Sequence, residues 1–312
     1  MAGNFLRTWW LPALLLAGSV PAQAAPSGPP GAVPPQAKAS PRKDGKGKRK
    51  KLRWPRLPAR EKRRARDWIY DLAHKDPLVV RRCEQELTAL GRGVLPLLLA
   101  AMSDSQPLRN PSLERIALAV ADRRDALLLA PYLGHHLVSV RRLAARLLAR
   151  AGNPAALPAM RKALAKEKDP RAREDLVLAL CALGDPAGLP GLFELARKDF
   201  FRRREEILAA AGKIKGEEAT RWLLEKLAEK DRKSKITALR LLAAAGTSRA
   251  VSAVAPYLDA ANHALALEAI NTLRALVDGK RPMKHLSVFQ LIQLRKEWKA
   301  RVGSLGRKER KP

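Results

Sequence analysis

Five histidines, two cysteines and a short series of lysines are the first places to look for chemistry in this 312-residue chain. Among His74, His135, His136, His263 and His285, only His135-His136 is a pair, set just after Gly134. Adjacent histidines can hold a metal, but a four-ligand site needs further donors. The sequence offers no His-x-x-x-His and no Cys-x-x-Cys. No serine stands in a Gly-x-Ser-x-Gly turn, and neither a Gly-x-x-x-x-Gly-Lys nor a Gly-x-Gly-x-x-Gly loop occurs. We therefore expect no catalytic residue, no metal and no cofactor.

The lysines are more regular. Lys166, Lys198 and Lys230 lie 32 positions apart each time, with Arg161, Lys162, Arg197 and Lys226 nearby. If the intervening chain repeats, these seven align into a candidate anion-binding strip. The competing explanation is that a cation near a helix C-terminus offsets the helix dipole, worth about 0.3–1 kcal/mol.

The intervening chain does repeat. Gly152-Asn153-Pro154-Ala155-Ala156-Leu157-Pro158 is echoed by Gly184-Asp185-Pro186-Ala187-Gly188-Leu189-Pro190, with weaker echoes from Gly216 and Gly246. Ala130-Pro131-Tyr132-Leu133 returns as Ala255-Pro256-Tyr257-Leu258. A period near 31 residues made of two helical runs predicts a solenoid.

One unit shows how each run is built. Asp169-Pro170 is a helix start: the carboxylate accepts from orphan N–H groups, and proline at the first turn loses no bond. Leu176, Val177, Leu180 and Leu183 recur at helical spacing, and Gly184 suits the left-handed stop. Asp185-Pro186 restarts the chain into a second helix with Leu189, Leu192, Phe193, Leu195 and Ala196 as its apolar face. The preceding unit repeats this with Val140, Ala144, Leu147 and Leu148, then Asn153-Pro154, then Leu157, Met160 and Leu164.

The Asp-Pro opening, Val140-Arg141-Arg142-Leu143-Ala144 and the Gly-Asp/Asn-Pro-Ala turn resemble HEAT-like repeats of the short type first described in phycobilin lyases. The resemblance spans roughly residues 76–280, about seven units. The first unit departs from it at Leu90-Gly91-Arg92-Gly93-Val94-Leu95-Pro96, and the fifth at Lys215-Gly216-Glu217-Glu218. The resemblance implies an all-α fold, a right-handed α-α superhelix of the HEAT/armadillo kind, and a scaffold for binding. In such an array Cys83 and Cys181 lie about three units apart. At roughly 8–10 Å per layer that exceeds the ~7 Å a disulfide tolerates. Both are expected as buried thiols. Arg141 and Arg173, also 32 apart, are expected to pair with acids of a neighbouring layer.

The ends of the chain speak to compartment. Arg7, the apolar residues 9–17 and Ala22-Gln23-Ala24 read as a secretory signal cut between Ala24 and Ala25. Proline-rich residues 25–41 and the basic stretch that follows read as a disordered linker to residue 57. Residues 42–66 hold fourteen Lys/Arg against Asp44 and Glu61. The net charge of +31 divides as +12 there, +9 over 67–280 and +8 over 281–312, with Arg7 and Lys38 supplying the remaining +2. The expected organisation is a signal at 1–24, the linker at 25–57, the solenoid at 58–280 and a capping helix with basic tail at 281–312. Ser287 and Gln290 form a capping box for a helix over 287–303, with Val288, Leu291, Leu294, Trp298 and Val302 as its apolar stripe and Gly303 as its stop.

Together these features predict a non-enzymatic scaffold exported to the cell envelope, with no membrane span in the mature chain. Its partner would be a protein or an anionic envelope polymer. A nucleic-acid-binding HEAT-like protein is one alternative, opposed by the few aromatics for stacking (Trp54, Trp68, Trp222, Trp298). A HEAT-type lyase is the other, resting on repeat type alone.

Overall fold

The computed structural model describes residues 52–283 and 286–308, with side chains to residue 304. Ala24, Ala25, His285 and the linker up to residue 51 lie outside the described residues. All regular structure among those described is helical. The α-helices are α1 (Ala59–Asp71), α2 (Pro77–Ala89), α3 (Leu95–Ala101), α4 (Asn110–Val120), α5 (Ala126–Leu129), α6 (Val138–Ala151), α7 (Leu157–Lys166) and α8 (Pro170–Ala182). They continue as α9 (Leu189–Asp199), α10 (Arg204–Lys213), α11 (Glu217–Ala228), α12 (Arg232–Ala245), α13 (Val251–Val254), α14 (His263–Asp278) and α15 (Val288–Lys308). From α2 onward they pair as successive hairpins, and each first helix packs on the next. The result is an all-α solenoid.

The repeated sequence signals become repeated caps. Asp76, Asp169, Asp231 and Asn262 each accept a backbone N–H at the start of a first helix. Asn153 and Asp185 do the same for the 3-10 turns that open α7 and α9. Gly152 and Gly184 hold φ of 64° and 78°, the left-handed region that side chains resist. In the first unit, which lacks the Asp/Asn-Pro pair, Gly91 and a 3-10 turn (Gly91–Val94) make the same corner. The Ala-Pro-Tyr-Leu echo marks two places where the second helix tightens into a 3-10 helix, Ala130–Gly134 and Ala255–Asp259. Proline there has no N–H to continue the α pattern.

Leu189, Leu192, Phe193, Leu195 and Ala196 are all buried, as their spacing predicts. Burying each leucine or phenylalanine contributes roughly 1.5–3 kcal/mol. The buried side chains form two clusters, one on each side of α8. Leu176, Ala179 and Leu180 belong to the N-terminal cluster, while Val177, Leu178 and Cys181 belong to the C-terminal one. A helix buried nearly all round has no polar stripe to spare.

Polar links tie unit to unit along the first helices. Arg115 reaches Glu84, Arg146 reaches Glu114, and Asp175 takes Arg142 at 2.8 Å and Arg146 at 3.2 Å. Arg203 bonds Glu174 and Arg240 bonds Glu268, each at 2.7 Å. Asp104, in the α3–α4 connection, caps α6 of the following unit by accepting from Val138 N (2.7 Å) and Ser139 N (2.8 Å).

Both ends differ from the sequence expectation. The linker does not run to residue 57 as a free segment: Trp54 and Leu57 pack against the N-terminal core. At the other end the capping box forms as expected, Ser287 and Gln290 exchanging bonds of 3.0 and 3.2 Å. Gly303 is not a stop, however, since α15 continues through it to Lys308. Leu291 and Trp298 are buried, but Val288 is 67% exposed and leaves the stripe. Six hairpins close before residue 280, and α15 packs on α14 as the second helix of the seventh. It completes the array as well as covering it. No described helix is long and apolar enough to cross a membrane.

Candidate functional site

The second helices α7, α9 and α11 and the turns that open them enclose a groove of about 420 Å³. It is lined by Pro186, Ala187, Leu189, Pro190 and Trp222, together with Arg161, Asp185 and Glu218. Each residue is placed by the repeat. Pro186 opens the 3-10 turn that leads into α9, and Pro190 stands in the first turn of α9 itself. Trp222 projects from α11 and meets Phe193 of α9 edge to face, centroids 5.4 Å apart. The Lys226 ammonium sits 5.3 Å from the Trp222 ring and bonds Glu229 at 2.6 Å.

One ion pair is already set in this lining. Arg161 donates to both carboxylate oxygens of Asp185, at 2.6 and 3.0 Å. The Asp185 side chain is fully buried while that of Arg161 is 56% exposed. Hydrogen bonding to Asp185, and then its charge, raise the guanidinium pKa above its usual value. Arg161 keeps an outward face that can meet a second acid.

The structure divides the lysine strip. Lys166 ends α7, Lys198 stands one residue before the end of α9, and Lys230 lies two residues past α11; all three are exposed. Arg161 lines the groove, and Lys226 stands beside its Trp222. Arg197 has Glu194 at 3.6 Å and Lys198 has Glu174 at 3.8 Å. Lys162, Lys166 and Lys230 have no ion-pair partner among the described residues. Sequence reasoning missed the residues that extend this edge, Lys168, Arg171, Arg232 and Lys233, all exposed. Their signal was available. Arg171, Arg232 and Lys233 stand in the first turns of α8 and α12, where the dipole disfavours a cation by the same few tenths to 1 kcal/mol that it rewards at the other end. Helix-end compensation explains Lys166 but not these three.

Arg141 finds an acid within its own unit rather than in a neighbouring layer, donating to both oxygens of Glu167, the residue that closes α7, at 2.8 and 2.9 Å. Arg173 has no acidic partner among the described residues; it donates to the Leu164 carbonyl at 3.3 Å, near the end of α7. Arg141 also serves carbonyls, those of His135 and His136 at 2.9 and 3.0 Å. The His135 and His136 rings stack 4.3 Å apart, and His135 Nδ1 accepts from Leu137 N at 3.2 Å. Burial, then the charges of His136 and Arg141, lower the His135 pKa. Among the described residues no three His, Cys, Asp or Glu side chains converge as a metal set. Cys83 and Cys181 are free and buried. Burial, then the Asp185 charge, push the Cys181 thiol up to about 12.

Residues 127–212 match the family model for HEAT repeats. No curated protein matches the chain. An engineered protein is similar over 76% of this chain and 77% of its own, at 17% identity and a TM-score of 0.37. The CpcE–CpcF complex of phycocyanin lyase from Nostoc sp. PCC7120 is similar over 86% of this chain and 100% of its own, at 20% identity and a TM-score of 0.34. Human deoxyhypusine hydroxylase is similar over 78% of this chain and 96% of its own, at 18% identity and a TM-score of 0.33.

Proposed function

We propose that this HEAT-repeat chain is a non-enzymatic binding scaffold, exported to the cell envelope, that takes an extended protein segment along its second helices. The observation that carries the reading is the groove over α7, α9 and α11. It offers an apolar lining with an aromatic held edge-on by its neighbour, and beside it an arginine already fixed in place by a buried carboxylate. Rigid aromatic and arginine side chains at the centre of a contact surface supply most of the binding energy in protein interfaces. Export rests on Arg7, the apolar run after it and Ala22-Gln23-Ala24.

A photoreactive residue placed at Ala187, in the groove, tests the contact in native cells. It should give one discrete crosslinked species, lost in Trp222→Ala, while the same residue at exposed Ala209 of α10 gives none. Equal crosslinking at both positions would sink the groove. N-terminal sequencing of the envelope fraction should begin at Ala25; a mature chain found only inside the cell would overturn export. Catalytic turnover by the purified protein, or an adduct on incubation with tetrapyrroles, would overturn the non-enzymatic reading.

A further inference from the structure

We propose that the edge of the array where each second helix passes to the next first helix docks on an anionic phospholipid surface, with Phe201 entering the headgroup layer. This rests on the scaffold reading only for its premise that the molecule works by contact; the surface is a different one from the groove.

Three consecutive turns build the edge: residues 166–171, 197–204 and 229–235. They hold twelve Lys/Arg against five acids. Every one of those acids is engaged already. Glu167 is held by Arg141, Asp199 by Arg202 and Glu229 by Lys226. Asp169 and Asp231 cap α8 and α12. What remains facing solvent is Lys166, Lys168, Arg171, Lys230, Arg232 and Lys233, none with an ion-pair partner among the described residues. Glu174 of α8 takes both Lys198 and Arg203, which fixes the second turn against the helix that the first turn opens.

Phe201 stands in the middle turn and is 76% exposed. Its ring leans edge-on against the buried Phe200 at 5.7 Å and lies 4.7 Å from the Arg240 guanidinium. It is an outward apolar side chain backed by Phe200 and Arg240, in a turn that also carries Arg202, Arg203 and Arg204. Basic residues with an aromatic on the same surface are the signature of binding at a bilayer interface. Single-stranded nucleic acid fits less well. Successive bases need successive stacking platforms, and the positions one period either side of Phe201 are Asp169 and Lys233.

The full chain should be sedimented with phosphatidylcholine vesicles containing about 30% phosphatidylglycerol, at about 0.1 M salt. Changing Lys166, Lys168, Arg232 and Lys233 together to Gln should weaken partition by at least about tenfold. Phe201→Ser should weaken it about threefold or more. Amine-reactive labelling should find Lys166, Lys168, Lys230 and Lys233 protected by these vesicles. Lys213 and Lys215, exposed on the opposite edge, should label as before. Wild-type partition by the four-residue variant would assign the binding to the basic chain ends and overturn the proposal, as would equal protection of both edges. Phe201-dependent binding of a single-stranded oligonucleotide, with vesicle binding indifferent to Phe201, would overturn it in favour of nucleic acid. Loss of Ala187 crosslinking with vesicle docking intact would strike the groove alone, and the reverse pattern this edge alone.

Discussion

Arg161 and Asp185 join two neighbouring units through one buried carboxylate that does two jobs. Asp185 accepts both Arg161 bonds and, through the same Oδ1, the N–H of Ala187 at 3.0 Å that opens the second helix of its own unit. Removing either partner leaves the other's work undone. Asp185→Ala should cost about 1–2 kcal/mol, chiefly from the lost cap, and Arg161→Ala should destabilise by leaving the buried carboxylate without its counter-charge. The double variant should cost little more than either, because the effects are coupled. Thermal melts showing full additivity would contradict a shared role.

Glycine substitutions should separate tight packing from open helix. A Cβ on Gly188 would stand 2.6 Å from Cys181 Sγ and 3.0 Å from the Val177 carbonyl, so α8 and its partner turn must move apart. Gly188→Ala should destabilise by about 1–3 kcal/mol. A Cβ on Gly303 meets nothing within 4 Å. Gly303→Ala should stabilise α15 by about 0.5–1 kcal/mol. Denaturant titration reads both signs.

The Cys181 thiol gives an alkaline test. Its folded pKa is raised from 9.0 to about 12, so the folded protein keeps a proton that the unfolded chain loses. Stability should fall as pH rises from about 9 toward 12, and the slope should be shallower in Cys181→Ala. The native thiol should resist thiol reagents at pH 8 and react on unfolding. Prompt native labelling of Cys181 would argue against its burial.

An acid test lies in the opposite direction. Hydrogen bonding from Arg141 holds the Glu167 carboxyl below its usual 4.5, against the burial that works to raise it. A lowered folded pKa contributes stability above the unfolded value and loses it as pH falls through the folded one. Wild-type stability should therefore drop below about pH 4.5, and Glu167→Gln should flatten that drop. An unchanged acid profile in the variant would deny the pair any part in acid unfolding.

The hairpin plan was legible because caps and stops are local chemistry. Asp169, Asn153, Asp185 and Gly184 act within a few residues of themselves, and the apolar face of α9 follows from helical spacing alone. What could not be read was anything set by a neighbour some thirty residues away. Arg161 looked like one cation of a strip until Asp185 claimed it. Phe201 is exposed while adjacent Phe200 is buried, and nothing in the pair Phe-Phe says which faces out. Gly303 failed as a stop because it has an unobstructed place inside α15, where glycine lowers helix propensity without ending the helix. The basic edge lay between the two. The lysine period was visible, but the cations at helix starts were overlooked because helix-end compensation already accounted for the lysines.

The split of the core at α8 makes that helix a watershed. With Leu176, Ala179 and Leu180 facing one way and Val177, Leu178 and Cys181 the other, each half of the molecule borrows its closing wall from the same thirteen residues. Amides of α8 should be the last to exchange with deuterated solvent, and the two flanks should open separately around them. Such a molecule has a seam at α8 where a cut would open both flanking cores at once.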